Sequence, residues 1–518
     1  MSTTSVVDIL LSTACLVLVA ALGTSWVRRK GAGSSLPFPP GPRPLPFIGN
    51  LLDMPTKNVA PTFHQICRKF GGIVHLSIFG QSTVVIDSYD AAMELLEHRS
   101  AHTSDRPRLI MAELAGLSWE FSVEGYTPAW RRYRRTFHEF FHQGAVLQYR
   151  SIHLRETRKL LSALLEEPER FLALTHRTVG GAVMDTVYGI EVVDGKNKYV
   201  AIAERGAQIF SEITTPGRFL VELFPWLAAL PTWFPGTQFQ RDAKVWTQEL
   251  LAVRNVAFDA VIAKMAQGCA RPCMTRDLME RTGKQGEKTS TDDEEHFRDV
   301  TGVAYVAGVE TTFTLMSAFF LAMIRFPDQQ RRAQAELDAV VGPDRFPDFS
   351  DRDLLPYVNA LLKECVRWHT ILPLAIPHVT THDEEFNGFL IPAGSVLVAN
   401  AWAMSRDPVA YPDPDSFIPD RFLKDGQPDR SVRDPFKFQF GFGRRICPGR
   451  HFAIDSAFLM IASILHVFDI KPPIDEDGSP LIVDPKIPFD CALSRPDPFP
   501  CRIVPRSPAK EALIRQTN

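Results

Sequence analysis

Cys447 is the residue around which a chemistry can be built. It lies in the run Phe440-Gly441-Phe442-Gly443-Arg444-Arg445-Ile446-Cys447-Pro448-Gly449, glycine-rich and doubly basic. A mostly apolar stretch, residues 452–468, follows at once and reads as a buried helix. The N–H groups of a helix start and nearby guanidinium charge both favour an anionic sulfur. Gly443 and Gly449 let backbone approach a large flat object closely. A thiolate held in this way can ligate haem iron axially and push electron density toward O–O cleavage. A cysteine among glycines can also be merely structural.

A second reactive pair sits in Ala307-Gly308-Val309-Glu310-Thr311-Thr312. Small residues let a ligand lie against a helix, and an adjacent acid and hydroxyl in an apolar interior need a use. Thr311 has a bland alternative, a bond back to a carbonyl of the preceding turn. The element that must position this pair is long. Thr291-Asp292-Asp293-Glu294 reads as a capping box, and the helical pattern then runs unbroken until Pro327. At about 1.5 Å per residue it spans roughly 50 Å. Its middle, residues 300–324, is apolar enough to imitate a membrane span, but an unpaired Glu310 in lipid costs several kcal/mol. A buried central helix is expected.

Trp130, Tyr133, Arg134, Phe137 and Phe141 share one face of a helix opened by Pro128. Arg134 therefore points into an aromatic surface, where a charge needs an anion, either an internal carboxylate or a ligand. Arg131, Arg132 and Arg135 lie on the other side, for an acidic partner or simply for solvent. Glu364 and Arg367 stand three apart on a helical run, spacing that often marks a surface pair. His378 follows the extended, proline-held stretch from Ile371 to Pro377 and could be a satisfied core histidine.

With 518 residues, 45% hydrophobic and 23% charged, the chain can bury a large core. A net charge of -3 gives no global pull toward nucleic acid, which is not an expected partner. The eight cysteines lack the spacing of a disulfide scaffold. Residues 6–27 are almost continuously apolar and are followed by Arg28-Arg29-Lys30, which predicts one N-terminal transmembrane helix with the bulk of the chain in the cytosol. A proline-dense stretch then predicts a stiff extended spacer. Alternating β-branched residues between Ile73 and Ile86 predict a hairpin broken at Gly80-Gln81. Residues 219–234 are apolar and proline-interrupted, fit for a membrane-touching entrance or for ordinary core.

Phe440, Gly443, Arg445, Cys447 and Gly449 stand at the spacing of the haem-binding loop of the cytochrome P-450 family, which the segment closely resembles. Further motifs follow the family's order from Pro39 to Gly449. The resemblance implies a mainly α fold with a minor β-sheet region, the cytochrome P-450 fold, preceded by the anchor. It divides the chain into an anchor at 1–30, a proline-rich hinge at 31–50 and a haem-thiolate monooxygenase catalytic domain at 51–518. It implies haem b as cofactor, with Cys447 as the metal ligand. Trp130, Arg134, His378 and Arg445 become haem contacts together with Phe440, Gly443 and Gly449, and Glu310 with Thr311 relays protons to dioxygen. Glu364, Arg367 and the Arg421 of Phe417-Ile418-Pro419-Asp420-Arg421-Phe422 become a buried ionic triad. Asp420 stands where many relatives have glutamate.

The same resemblance implies an NADPH-cytochrome reductase as partner, dioxygen and a hydrophobic small molecule as substrates, and a single-pass place in the lipid bilayer of the endoplasmic reticulum. The hinge and haem loop look most like fungal microsomal members, including those grouped near O-methylsterigmatocystin oxidoreductase, which points to secondary metabolites, terpenoids or xenobiotic aromatics. Candidate pocket walls include Phe210, Tyr305, Val306, Ala375 and Leu493. Two rivals share the loop: a same-fold isomerase or dehydratase that does not use dioxygen, and a non-enzymatic haem sensor.

Overall fold

Helices carry most of the chain: α1 (Val59–Phe70), α2 (Pro128–Phe141), α3 (Arg150–Glu166), α4 (Phe171–Tyr188), α5 (Lys198–Thr214), α6 (Gln238–Ala266), α7 (Thr291–Arg325), α8 (Pro327–Val340), α9 (Pro356–Trp368) and α10 (Arg450–Val467), with shorter turns between them. The computed structural model describes residues 36–192, 198–283, 290–489 and 492–516. The expected anchor at residues 6–27 lies outside the described residues.

The centre of the fold is α7, 35 residues long and apolar on every face through its middle. A helix without a polar side must be covered all round. Here α4, α5, α6 and α10 cover it. Both α7 and α10 are long and apolar enough to cross a membrane, but the apolar window of each is mostly buried inside the protein. The cap of α7 is Ser290, one residue earlier than the expected box: the Asp293 amide donates to Ser290 Oγ at 3.1 Å, and that hydroxyl donates to Asp293 Oδ2 at 2.7 Å. At the far end Phe326 leaves helical geometry and Pro327 opens α8, where its missing N–H costs nothing.

The principal sheet is small. β1 (Ile73–Ile78) pairs antiparallel with β2 (Gln81–Ile86), starting at Ile73 opposite Ile86. Phe79 and Gly80 turn between them, both at positive φ, as a two-residue hairpin of this hand requires. β3 (His378–Val379) and the hairpin of β4 (Glu384–Phe386) and β5 (Phe389–Ile391) come next in the chain. β6 (Val396–Ala399) then lies parallel to β2 and antiparallel to β3, giving the order β1-β2-β6-β3.

The proline-dense stretch runs without regular structure to Pro44 and then turns tightly between Leu45 and Gly49, against the expected extended form, and from Pro37 onward it is fastened to this sheet. Proline cannot donate a backbone bond but can accept one. The amide of His75 donates to Pro40 O at 3.0 Å, and that of Leu390 donates to Pro37 O at 2.8 Å. Asn50 completes the seam, its own amide donating to Ser77 O at 2.6 Å.

Candidate active site

The loop before α10 folds on itself. The Cys447 amide donates to Phe440 O at 2.7 Å, and Gly441 and Gly443 both take positive φ. Gly443 serves protein contacts more than a ligand: its amide donates to Glu97 Oε2 at 2.5 Å, and a Cβ there would lie 2.3 Å from Leu96 O. Gly449 differs, since a Cβ there would meet nothing within 4 Å. The Phe440 ring packs edge-on to Phe436, centroids 5.7 Å apart. As a free thiol Cys447 is held above its ordinary range by burial, against the amide of Gly449 and the charges of Arg134 and Arg450. A coordinated metal outweighs such burial, because it deprotonates a thiol outright.

Three guanidiniums gather beside this loop, with Asp105 and Glu124 near two of them but no ion pair among the described residues. Arg134, on α2, donates from Nη2 to Ile446 O at 2.7 Å. Arg445 donates to the carbonyls of Ser104 and Glu124, each at 2.7 Å. Arg106 donates to Ser122 O at 2.9 Å and to Ile376 O and Pro377 O at 2.7 Å. None of the three has a carboxylate within ion-pair distance among the described residues. Burial, then the charges of Arg445 and Arg134, hold Arg106 well below the usual guanidinium range, and burial lowers Arg134 and Arg445 to about 10. Among the described residues no carboxylate pairs with Arg134 to explain it. Trp130 borders the group, with the Arg445 guanidinium carbon 4.2 Å from its ring centre. His378, on β3, gives a ring N–H at Nδ1 to Thr103 O at 2.7 Å, and burial followed by the Arg106 charge keeps it neutral.

Sequence reasoning missed Arg106. It sits in an irregular stretch, with no periodicity to show which way it faces.

Across the domain, Ala307 is exposed although its neighbours Val306 and Val309 are buried, so α7 presents an open spot at its middle. Gly308 serves helix packing instead, since a Cβ there would lie 3.1 Å from Val183 Cγ2. Thr311 is half-buried and donates to Ala307 O at 2.9 Å, the back-bond foreseen as its bland role. Glu310 is buried and doubly paired: His176 Nε2 lies 2.6 Å from Oε1, and Arg495 Nη1 lies 2.8 Å from Oε2. Neither partner carried a local signal. Tyr305 is no pocket wall: it is fully buried, its hydroxyl donates to Tyr199 O and its ring meets Tyr188 edge-on.

Glu364 and Arg367 are not a surface pair. Their side chains are wholly buried, joined by two bonds of 2.7 and 2.8 Å, and Arg421 Nε reaches Glu364 Oε1 at 3.2 Å. Asp420 faces outward and pairs with Arg332.

The donor set decides what this site can hold. Among the described residues no group of three or more His, Cys, Asp or Glu side chains could hold a metal ion, so a metal on Cys447 must bring its other ligands with it. Arg106 and Arg445, buried, and Arg134, half-buried, form no ion pair, and Asp105 and Glu124 offset their charge only from a distance, so carboxylates from outside the chain fit among them. An iron macrocycle bearing two carboxylates, haem b, meets both requirements.

A sequence model of the family Cytochrome P450 matches residues 39–489 of this chain. A cytochrome P450 monooxygenase of Armillaria gallica is 38% identical over 97% of this chain and 98% of its own length. Cytochrome P450 monooxygenase COX1 of Coprinopsis cinerea is 37% identical over 99% of this chain and 100% of its own. Cytochrome P450 monooxygenase ple1 of Rhodocybe pseudopiperita is 36% identical over 96% and 95% respectively.

Proposed function

Since this chain belongs to the cytochrome P450 family of haem-thiolate monooxygenases, we propose that it hydroxylates a hydrophobic small molecule with dioxygen and electrons passed from NADPH by a membrane-bound reductase. The observation that carries the reading is the gathering beside Cys447 of three arginines, two buried and one half-buried, that bond to backbone carbonyls and form no ion pair among the described residues. Cys447 ligates the iron, and Arg106, Arg134 and Arg445 hold the propionates, bordered by Trp130 and His378. Phe440 and Gly449 shape the loop. The haem, when bound, supplies the oxygen chemistry itself.

The chain's part is orientation and proton control. Ala307 leaves room against α7 for a ligand. Glu310 places a carboxyl inside the domain that can carry a proton, and Thr311, one residue on, turns its hydroxyl from Ala307 O to pass that proton toward dioxygen. Glu364, Arg367 and Arg421 take no part in the reaction and pin α9 to the segment before the Cys447 loop.

A place on the endoplasmic reticulum membrane is supported by an apolar surface near the hinge. Phe47, Leu52, Trp226 and Trp233 are all strongly exposed, and Phe79 meets Phe224 edge-on at 5.0 Å, joining the hairpin turn to residues 219–234. Exposed apolar residues massed in this way mark a membrane or protein contact. The substrate class we favour is a secondary metabolite or terpenoid.

The ferrous protein with carbon monoxide tests the core of this reading. The parent is expected to show the red-shifted Soret band of thiolate ligation and Cys447→Ala to lose it; identical spectra sink the proposal. Turnover of a terpenoid, aromatic and fatty-acid panel with a fungal reductase then tests the substrate class.

A further inference from the structure

We propose that His176 is a positioning and proton-inlet residue for Glu310, with Arg495 as the fixed anchor of the same carboxylate. The inference rests on the reading of Glu310 and Thr311 as the proton route. It starts from three elements that meet at one buried acid. Glu310 comes from the middle of α7, His176 from the first half of α4, and Arg495 from the C-terminal segment whose Ser494 amide donates to Ile371 O at 2.8 Å. One oxygen faces each partner, at 2.6 Å for His176 and 2.8 Å for Arg495.

Exposure is graded along the set. The Arg495 side chain is 35% exposed, that of His176 12% and that of Glu310 6%. The cluster therefore reaches from the surface to the interior helix that carries Thr311. Phe313 props both partners: its ring meets His176 edge-on at 4.7 Å and lies 5.3 Å from the Arg495 guanidinium carbon.

The two partners differ in chemistry. Arginine cannot release its proton at neutral pH, so Arg495 can hold the carboxylate but cannot feed it. Histidine is the side-chain type that loads and unloads a proton near neutrality. Neutralising one buried carboxylate needs only the arginine. The second partner is of the type that moves protons.

The groups around His176 are few: Glu310 and Phe313 from α7, with Arg495 of the C-terminal segment on the far oxygen of the same carboxylate, and next to it on its own helix Arg177, which is engaged in an interaction of its own. Among the described residues no other carboxylate lies within ion-pair distance of it.

The step is a proton transfer with no change of oxidation state. Imidazolium gives its Nε2 proton to Glu310 Oε1, leaving neutral imidazole with its Nδ1–H and a neutral carboxyl. The ring then rotates about Cβ–Cγ, and surface water returns one proton to its bare Nε2. The neutral carboxyl is held less tightly by Arg495 and is free to turn toward Thr311.

The test uses the haem-loaded full chain with its reductase and compares parent, His176→Gln, His176→Phe, Arg495→Lys, Glu310→Gln and Thr311→Ala. Carbon-monoxide spectra and substrate-binding spectra first establish that each variant folds and binds. Both His176 variants are expected to divert electrons from product to peroxide, with a loss of coupled turnover on the order of tenfold or more and an enlarged solvent isotope effect. Arg495→Lys keeps the anchoring charge with poorer geometry and should lose less coupling than either His176 variant. A readout apart from turnover is the His176 Nε2 proton in 15N-histidine-labelled ferrous carbon-monoxide protein. It should appear as a downfield, slowly exchanging signal that is lost in His176→Gln, moves upfield in Glu310→Gln because the charged acceptor is gone, and persists in Thr311→Ala.

Parental coupling and isotope effect in both His176 variants, or a proton signal indifferent to Glu310→Gln, overturns the inlet. If Glu310→Gln and Thr311→Ala are themselves fully coupled, it is the acid–threonine reading that fails. Uncoupling in those two with none at His176 defeats the inlet alone.

Discussion

Arg445 lies over the indole of Trp130, its guanidinium carbon 4.2 Å from the ring centre, and shares the pocket with Arg106. A desolvated cation over an indole regains about 2 kcal/mol, much less than full hydration supplies. The rest comes from the carbonyls already named, from Asp105 and Glu124 at a distance and, on the function proposed above, from the haem carboxylates. Replacing Arg106 with glutamine should therefore weaken haem retention far more than it weakens the haem-free fold. One charge-assisted bond contributes about 1.5–3 kcal/mol, which is roughly a tenfold to hundredfold faster transfer of haem to a scavenger protein. Equal losses in the haem-free and haem-loaded forms would show that Arg106 is a structural residue only.

Gly443 is required for two independent reasons. Its φ of +53° disfavours any side chain, and a Cβ would sit 2.3 Å from Leu96 O, which is backbone and cannot swing aside. Gly443→Ala should push the loop away from Glu97 and misplace Cys447, so that the protein purifies with much less haem. Gly449→Ala, with open space around it, should retain more haem than Gly443→Ala. Measured haem-to-protein ratios in the opposite order would refute this account of the loop.

The buried pair Glu364–Arg367 makes a sharper stability prediction. Arg367 also donates to Ser405 O at 2.9 Å, Pro414 O at 2.7 Å and Ser416 O at 2.9 Å, so its charge stays fixed in the interior whatever happens to its partner. Glu364→Gln keeps the shape and removes the compensating charge, at an expected cost of about 3–5 kcal/mol. Arg421→Gln should cost less, because that side chain also bonds outward to Pro412 O. Urea denaturation of the two variants beside the parent gives both numbers, and an indifferent Glu364→Gln would remove the triad from the list of structural supports.

How much of this was legible follows from how local each contact is. The Cys447 loop is ten consecutive residues, and Trp130 with Arg134, or Glu364 with Arg367, are joined by helical spacing, so short-range patterns reveal them. The central helix could be read from its length and unbroken apolarity, although its cap fell one residue early, on Ser290, because neighbouring Ser and Thr are nearly equal candidates. Arg106, His176 and Arg495 gave no such sign. Glu310 meets His176 across 134 residues and Arg495 across 185, and only the folded chain brings them together. The fastening of the proline stretch was hidden for a related reason: its prolines accept bonds whose donors lie in β1 and β5, out of view of any local rule.

Acid should destabilise the folded chain through its buried histidines. His153, His296, His369 and His466 are each lowered from 6.5 to about 4, with burial the largest cause in every case. A lowered folded value means that the unfolded chain binds the proton first. The stability these rings contribute is thus complete above pH 6.5 and is lost as pH falls toward 4, at up to about 1.4 kcal/mol per pH unit for each group. Glu120 works the other way. Burial raises it to about 7, so the folded chain binds its proton first and gains stability between pH 7 and 4.5, offsetting about one histidine. The net expectation is a falling urea midpoint from pH 7 to pH 5. His153 offers the test, since its Nε2 has no partner among the described residues and its ring lies 4.5 Å from that of Phe452. His153→Phe should fold and show a shallower pH dependence than the parent; an unchanged slope would mean that His153 is not held neutral by burial.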